Sequence, residues 1–355
     1  MPRYQLKVLA AITRCRTGQL GGVKYQCKGC GYKHWVGRSC GNRHCPNCGK
    51  DKSTRWLEKL SPRMLPVHHF LVTFTVPDQL SWLLRRRPRA GYAALFDAGA
   101  GSIRDVGTAT RSLKGCSLGF FGVLHTWGRD PMVYHPHVHF VVPGGGVRED
   151  GSAWQATPEN FLFHHGTLIR VYKAKLADEL RAAGLYDQVP AEVWQKKFVV
   201  DIKPVGNGQG VLKYLAPYVH RVAISDNRIV ACDEQSVTYR YTPSGTHKSK
   251  ERTVEGQEFI RGFLQHVLPR GLQKIRYYGW MAPSARFKVD AVKWLVWLFL
   301  GWTYWLASGY APQEPERKPA KARCPECGDA MRVVEVTYEP RVVLPNHSLD
   351  FLDSG

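Results

Sequence analysis

Three histidines alternate with other residues in the segment Tyr134-His-Pro-His-Val-His139. The segment predicts a β-strand, and because strand side chains alternate between two faces, His137 and His139 share one face. Two adjacent imidazoles form half of a divalent-metal site, so a third ligand has to come from elsewhere in the chain. His125, on the preceding predicted strand, is one candidate and Gln209 is the other. The alternative is that the pair is structural.

A second group of chemically capable residues is Lys213-Tyr-Leu-Ala-Pro-Tyr218. Tyr214 and Tyr218 are four residues apart and would share one face of a helix, where they could be nucleophiles or packing residues. Pro217 removes a backbone hydrogen bond, so either the helix bends there or it starts near that residue. The preceding glycine-rich segment, 206–210, lacks the Lys-Ser/Thr ending of a phosphate-binding loop and predicts a hinge.

Ten cysteines are present, and two short-spaced pairs stand near the N-terminus, Cys27/Cys30 and Cys45/Cys48. Two such pairs can supply four thiolates to a tetrahedral Zn²⁺, so we expect one structural zinc there. Four further residues could replace a ligand, build a second site or simply be buried: Cys15, Cys40, His34 and His44. Cys324 and Cys327 form another knuckle with no second pair after it, and could complete a metal site with residues elsewhere.

The elements that must position these residues follow an α+β order. Strands are predicted over 69–77, 119–127, 132–142, 198–202, 228–230 and 237–241, and helices over 51–60, 158–183 and 211–220. The order predicts a central antiparallel sheet flanked by helices and preceded by a small zinc-binding domain. We expect four segments: a zinc-binding domain at 1–60, a main domain with the histidines and tyrosines at 61–285, a Trp-rich helix at 286–311, and a linker with the C-terminal knuckle at 312–355.

The net charge of +21 favours a polyanionic partner, and residues 1–63 hold 14 Lys and Arg against Asp51 and Glu58. The N-terminal segment is therefore the expected DNA anchor, although a basic surface can also serve solubility or RNA binding. No signal peptide opens the sequence. The apolar stretch Trp294 to Ala307 is shorter than the roughly 20 residues of a membrane-spanning helix, so it predicts a buried helix. These features predict a cytoplasmic protein that does not contact membranes.

Five short segments rich in Cys, His, Tyr and Gly follow one another along the chain. They are Cys15-Arg-Thr-Gly-x-Leu-Gly-Gly22, Ser39-Cys-Gly-Asn-Arg-His-Cys-Pro-Asn-Cys48, His135-Pro-His-Val-His139 with Pro143-Gly-Gly-Gly146, Tyr214-Leu-Ala-Pro-Tyr218-Val-His-Arg-Val-Ala-Ile-Ser225, and His266-Val-Leu-Pro-x-Gly271 followed by Ile275-Arg-Tyr-Tyr-Gly279. The chain thus resembles the HUH-type rolling-circle transposases of the group named after insertion sequence ninety-one, over most of its length.

The resemblance implies a bacterial, nucleoid-associated enzyme in which His137 and His139 hold a catalytic Mg²⁺ or Mn²⁺ and Tyr214 and Tyr218 are the nucleophiles. Attack on a phosphodiester would give a 5′-phosphotyrosine and a free 3′-OH, and Arg221 could neutralise phosphate charge. Single-stranded or hairpin DNA at transposon ends, and target DNA, are the implied substrates.

Two other readings compete with this one. A zinc-ribbon protein that binds nucleic acid without catalysis would have the same cysteines and charge. A metallohydrolase would use His135, His137 and His139 as ligands, but such sites normally include a nearby carboxylate, and Phe140, Val141 and Val142 follow instead. His135 shares the face of His137 and His139 but stands at the entrance of the strand beside Pro136, so we expect it to support the ligands rather than to bind the metal.

Overall fold

The structure is a computed structural model that describes residues 2–219, 224–243, 245–246, 248–303 and 322–338. The described helices are α1 (Arg3–Thr13), α2 (Pro46–Leu60), α3 (Asp78–Arg86), α4 (Pro88–Ala109), α5 (His165–Ala182), α6 (Ala191–Gln195), α7 (Gly208–Val219), α8 (Gly256–Leu264) and α9 (Val289–Leu300). The described strands are β1 (Gly22–Cys27), β2 (Lys33–Gly37), β3 (His68–Thr75), β4 (Cys116–Ser117), β5 (Gly119–Trp127), β6 (Tyr134–Pro143), β7 (Gly145–Arg148), β8 (Trp154–Ala156), β9 (Val200–Asn207), β10 (Ile229–Cys232), β11 (Ser236–Tyr241), β12 (Lys250–Glu255), β13 (Ile275–Gly279) and β14 (Met331–Val336).

The chain divides into two compact units. The Cys-rich unit contains the described residues 2–52 and 322–338, and the main unit contains the described residues of 53–219 and 224–303. In the Cys-rich unit a three-stranded sheet has the order β14-β1-β2, and both neighbours of β1 are antiparallel to it. The C-terminal knuckle was predicted to belong to a separate segment, 312–355, but β14, which follows the knuckle, pairs directly with β1.

A five-stranded sheet forms the centre of the main unit, in the order β13-β5-β6-β3-β9. All four strand pairs in it are antiparallel. The prediction of an α+β fold with a central antiparallel sheet is therefore confirmed. The histidine-bearing strand β6 is the middle strand, with a hydrogen-bonded neighbour on each side.

The two faces of this sheet bury different sets of side chains, as a period of two requires. One face packs Phe74, Phe120 and Phe140 against α4 and α5. Helix α4 lies close to it because its glycines are small: a Cβ on Gly99 would stand 2.7 Å from the Phe140 ring. The opposite face packs odd-numbered residues such as Val123 and Val141 against α7. Each fully buried Phe or Val stabilises the fold by roughly 1.5–3 kcal/mol.

Helix α7 begins in the glycine-rich segment for which the sequence predicted a hinge. Strand β9 ends at Asn207, whose Oδ1 accepts a hydrogen bond of 3.2 Å from the Gly210 amide in the first turn of α7. An Asn in this position satisfies an amide that the helix itself leaves unpaired. The helix continues through Pro217 to Val219, so it starts before Tyr214 rather than near the proline.

The Trp-rich helix α9 is less buried than the sequence indicated. Val292 and Val296 face the core, but Trp294 is 58% exposed, and Trp302, just beyond the helix, is 89% exposed. The apolar stretch covers more than one face of a helix that has a core on only one side. Among the described helices, none combines the length and hydropathy needed to cross a membrane.

Candidate active site

The predicted histidine ligands meet on one face of the central sheet. His125 on β5 pairs across from His137 on β6, and His139 follows two residues later on the same side. One ring nitrogen from each of His125, His137 and His139, which we call the histidine triad, lies within 4.8 Å of the others. The structure thus places His125, rather than the neighbouring His135, with the other two. The side chain of the alternative ligand, Gln209, lies outside the described part of the chain.

Two imidazoles of the triad are oriented by hydrogen bonds between their Nδ1 atoms and residues outside the triad. His137 Nδ1 donates to the His135 carbonyl at 2.8 Å, and His139 Nδ1 lies 2.8 Å from Thr73 Oγ1 on β3. Since a carbonyl only accepts, the proton of neutral His137 is on Nδ1 and its Nε2 carries a lone pair. The Nε2 atoms of His137 and His139 are 3.1 Å apart.

This separation fits a shared metal ion. Two nitrogens that each lie at about 2.1 Å from one cation, at angles between octahedral and tetrahedral, are about 3.0–3.4 Å apart. Hydrogen bonding of Nδ1 to a carbonyl or hydroxyl is also the usual way that proteins orient metal-binding imidazoles. The donor set of the histidine triad therefore fits a divalent cation.

Burial keeps the triad uncharged. Desolvation lowers the pKa of His125 and of His137 well below the ordinary value, and neighbouring imidazoles lower both further. Burial also lowers the pKa of His139 to about 4, with Asp201 acting in the opposite direction. A neutral imidazole is the form that binds metal, so all three are ready to do so at neutral pH.

Two residues near the triad were missed by the sequence reading. Thr73 pairs across from His139 on one side and from Asp201 of β9 on the other. Asp201 forms an ion pair with Lys203 at 3.0 Å. The period of two along β3 and β9 would have put these residues on the histidine face, but only if the order β6-β3-β9 had been known.

Helix α7 covers the same sheet face as the triad. Its buried residues Val211, Leu215 and Val219 pack in one cluster with Val123 and Val141, which are each two residues from a triad histidine.

Both predicted nucleophiles belong to this helix, with Tyr214 and Tyr218 one turn apart along its backbone. Their side chains lie outside the described part of the structure, as does the whole of Arg221.

The cysteines form two groups in the Cys-rich unit. The first cysteine group is Cys15, Cys40, Cys45 and Cys48, and the second cysteine group is Cys27, Cys30, Cys324 and Cys327. In each group the four sulfurs lie within 4.8 Å of one another.

The expected single site of Cys27, Cys30, Cys45 and Cys48 is therefore not what the structure shows. Each N-terminal pair joins a different partner pair, because β1 carries Cys27 to the end of the sheet where β14 begins. Of the residues left open, Cys15 and Cys40 belong to the first group, whereas His34 and His44 belong to neither.

Two known protein families match successive parts of the chain. The family described as "Transposase zinc-binding domain", of the IS91 type, matches residues 1–76, and the family described as "Putative transposase" matches residues 119–288. The second match contains β5, β6 and α7, hence the triad and the two tyrosines. No solved structure matches the chain significantly.

Two curated relatives resemble most of the chain. A protein named "Putative transposase y4qJ" from Sinorhizobium fredii is 36% identical over 302 residues, which cover 79% of this chain and 75% of the relative. The "Transposase for insertion sequence element IS801" from Pseudomonas savastanoi pv. phaseolicola is 27% identical over 301 residues, covering 78% and 70% of the two chains.

The first cysteine group lies wholly within the matched zinc-binding domain and supports structural zinc there, and DNA is the partner on which a transposase acts. Together with the matches, these features show that the chain belongs to the IS91 family of transposases, enzymes that cleave and transfer DNA.

Proposed function

We propose that this transposase nicks and rejoins single-stranded DNA by rolling-circle transposition, through a tyrosine nucleophile beside a divalent cation held by the histidine triad. One observation carries the proposal: the triad and helix α7, to which both tyrosines belong, share one face of the central sheet. In such an enzyme the nucleophile and the cation must reach the same phosphate, so both have to lie on the same face of the central sheet.

The triad suits a cation that acts on phosphate. A divalent cation bound there would polarise the scissile phosphodiester and stabilise the charge that develops on it. Because the three imidazoles are neutral, they leave the charge of the cation uncompensated, and a DNA phosphate can neutralise it. Of the two expected ions, nitrogen ligands favour Mn²⁺ over Mg²⁺, which prefers oxygen.

The tyrosines supply the covalent chemistry. The phenolic oxygen of Tyr218 loses its proton and bonds to phosphorus, the bond from phosphorus to the 3′ oxygen breaks, and the leaving 3′ oxygen takes up a proton. The products are a 5′-phosphotyrosine and a free 3′-OH, so one ester replaces another and rejoining needs no ATP. Tyr214 then makes the second cut during strand transfer, and Arg221 neutralises phosphate charge.

The substrate we propose is single-stranded or hairpin DNA. The chain's charge of +21 favours contacts to phosphates, and unpaired bases can stack on aromatic side chains.

The test is a covalent-transfer assay with randomised single-stranded oligonucleotides and Mn²⁺. A label at the 3′ end should migrate with the denatured protein, whereas a label at the 5′ end should appear in a shorter free fragment. Tyr214→Phe/Tyr218→Phe should abolish the adduct, because it removes only the two hydroxyls. The matched control Tyr241→Phe, on β11, should retain it.

Each other outcome identifies what is wrong. Binding without cleavage by the wild type would favour a DNA-binding protein without catalysis. Cleavage without an adduct would show hydrolysis by water, and an adduct in the double variant would show that the nucleophile is another residue. Of the single variants, Tyr218→Phe should reduce the first nick more, and Tyr214→Phe should mainly impair strand transfer.

A further inference from the structure

The second cysteine group joins residues from the two ends of the chain. Cys27 Sγ lies 3.4 Å from Cys327 Sγ, and Cys30 Sγ lies 3.6 Å from Cys324 Sγ. These distances exceed the disulfide bond length of about 2.05 Å, and all four residues are free thiols. Both family matches end before Cys324, so neither of them assigns this knuckle.

Both knuckles have the same backbone form. Each has the sequence Cys-x-x-Cys-Gly, and the glycine that follows the second cysteine is left-handed, with φ of 73° at Gly31 and 78° at Gly328. The Cys27 amide donates to the Tyr32 carbonyl at 2.8 Å, and the Cys324 amide donates to the Asp329 carbonyl at 2.8 Å. A turn of this kind directs two thiols to one side, so the two knuckles together offer four.

The main chain holds the two knuckles together. Cys27 at the end of β1 pairs with Met331 at the start of β14, and the Lys28 amide donates to the Ala330 carbonyl at 3.2 Å. Both knuckles therefore lie at the same end of the sheet, where the backbone already holds their sulfurs close together.

Strand β14 buries too little apolar surface to hold its place by packing. No residue of β14 is buried, and Val333 is 52% exposed. A small sheet with so little hydrophobic burial is marginal in water, and structural metals commonly supply the missing stability in small domains.

The sulfur separations match tetrahedral zinc. With a Zn–S bond of about 2.3 Å, two ligands of one tetrahedral Zn²⁺ are about 3.8 Å apart. The first cysteine group has separations of 3.8 Å between Cys15 and Cys48 and 3.7 Å between Cys40 and Cys48. The second group is within a few tenths of an ångström of the same value.

We propose that Cys27, Cys30, Cys324 and Cys327 bind a second structural Zn²⁺, which fastens residues 322–338 to the hairpin of β1 and β2. The metal-bound unit is a zinc ribbon built from both ends of the chain. The four thiols bind as thiolates and release their protons, and the ion undergoes no redox change. This structural zinc takes no part in the strand-transfer chemistry proposed above, so the two proposals are independent.

Zinc content of the full-length protein tests the proposal, with native mass spectrometry as the readout. The wild type should hold one Zn²⁺ at each cysteine group, in addition to any Zn²⁺ at the histidine triad. Cys324→Ser/Cys327→Ser should hold one Zn²⁺ fewer than the wild type, and so should Cys27→Ser/Cys30→Ser and the variant with all four changes. Cys232→Ser, a change at an exposed cysteine outside both groups, should hold as many as the wild type.

A second measurement uses the unaltered protein, in case a variant fails to fold. Cys30, Cys327 and Cys232 are all exposed, so geometry alone gives them similar access to iodoacetamide. In the zinc-loaded protein, Cys232 should react while Cys30 and Cys327 are protected, and a chelator should make all three react.

Two results would overturn the proposal. One is a Cys324→Ser/Cys327→Ser protein that binds as many Zn²⁺ as the wild type, and the other is a Cys327 thiol that reacts as fast as Cys232 when zinc is bound. Because these measurements contain no DNA, they are independent of the tyrosine adduct assay.

Discussion

Replacing Thr73 by valine should weaken metal binding by the histidine triad without unfolding the protein. Thr73 Oγ1 lies 2.8 Å from His139 Nδ1, and this is the contact that orients the imidazole through its outer nitrogen. Valine keeps the shape and the β-branch but lacks the hydroxyl. One hydrogen bond contributes roughly 0.5–1.5 kcal/mol, and loss of such outer partners costs about 10–100-fold in metal affinity. Because about 1.5 kcal/mol corresponds to about a tenfold change in affinity, the two ranges meet at about tenfold, which is the effect we expect.

The assay is Mn²⁺ titration followed by electron paramagnetic resonance of the free ion, with thermal unfolding as the check on folding. Thr73→Ser restores a hydroxyl and should bind Mn²⁺ like the wild type. The matched control is Thr75→Val, two residues along β3, because Thr75 Oγ1 donates to the Val199 carbonyl rather than to a histidine. Equal Mn²⁺ affinity in Thr73→Val and the wild type, or equal weakening in Thr75→Val, would refute the reasoning.

Three further outcomes are expected. His125→Ala should weaken Mn²⁺ binding by at least about 100-fold, because it removes a ligand rather than an outer partner, whereas the exposed His164→Ala should not change the titration. Burial lowers the pKa of His69 to about 4, so as pH falls from 6.5 towards 4 the unfolded state takes up a proton that the folded state does not. The free energy of unfolding should therefore decrease over that window, by up to about 3 kcal/mol from this residue, and denaturant unfolding of His69→Gln should show a shallower pH dependence. Gly279→Ala should lower the free energy of unfolding by more than about 3 kcal/mol, because φ is 55° there and the new Cβ would stand 1.6 Å from the Leu118 carbonyl oxygen. Gly184→Ala, at φ 65° with open space around it, should lower it by about 1–2 kcal/mol. Equal melting temperatures for the two variants would contradict this.

Local periodicity was enough to predict the histidine face. A strand alternates its side chains whatever its neighbours are, so His137 and His139 had to share a side, and the preceding strand was the natural source of His125. Thr73 and Asp201 could not be found in the same way. Their proximity to the triad depends on the strand order β6-β3-β9, which is a property of the whole sheet and not of any one segment.

The cysteines show the same limit at longer range. Spacing identified Cys27/Cys30 and Cys45/Cys48 as knuckles, but a knuckle does not specify its partner. The partner of Cys30 is Cys324, 294 residues later, and only the pairing of β1 with β14 brings the two together.

Pairing between the first and last described strands also sets a time order for biosynthesis. Cys30 and Cys324 are separated by 294 residues, which a ribosome adding about 5–20 residues per second takes roughly 15–60 s to translate. Throughout that interval Cys27 and Cys30 have emerged without their partner thiols, while the first cysteine group, complete at Cys48, can already assemble. Only a chain translated as far as β14 can close the three-stranded sheet, so translation that stopped before residue 324 would give a protein with the histidine triad and the first cysteine group but without the second cysteine group.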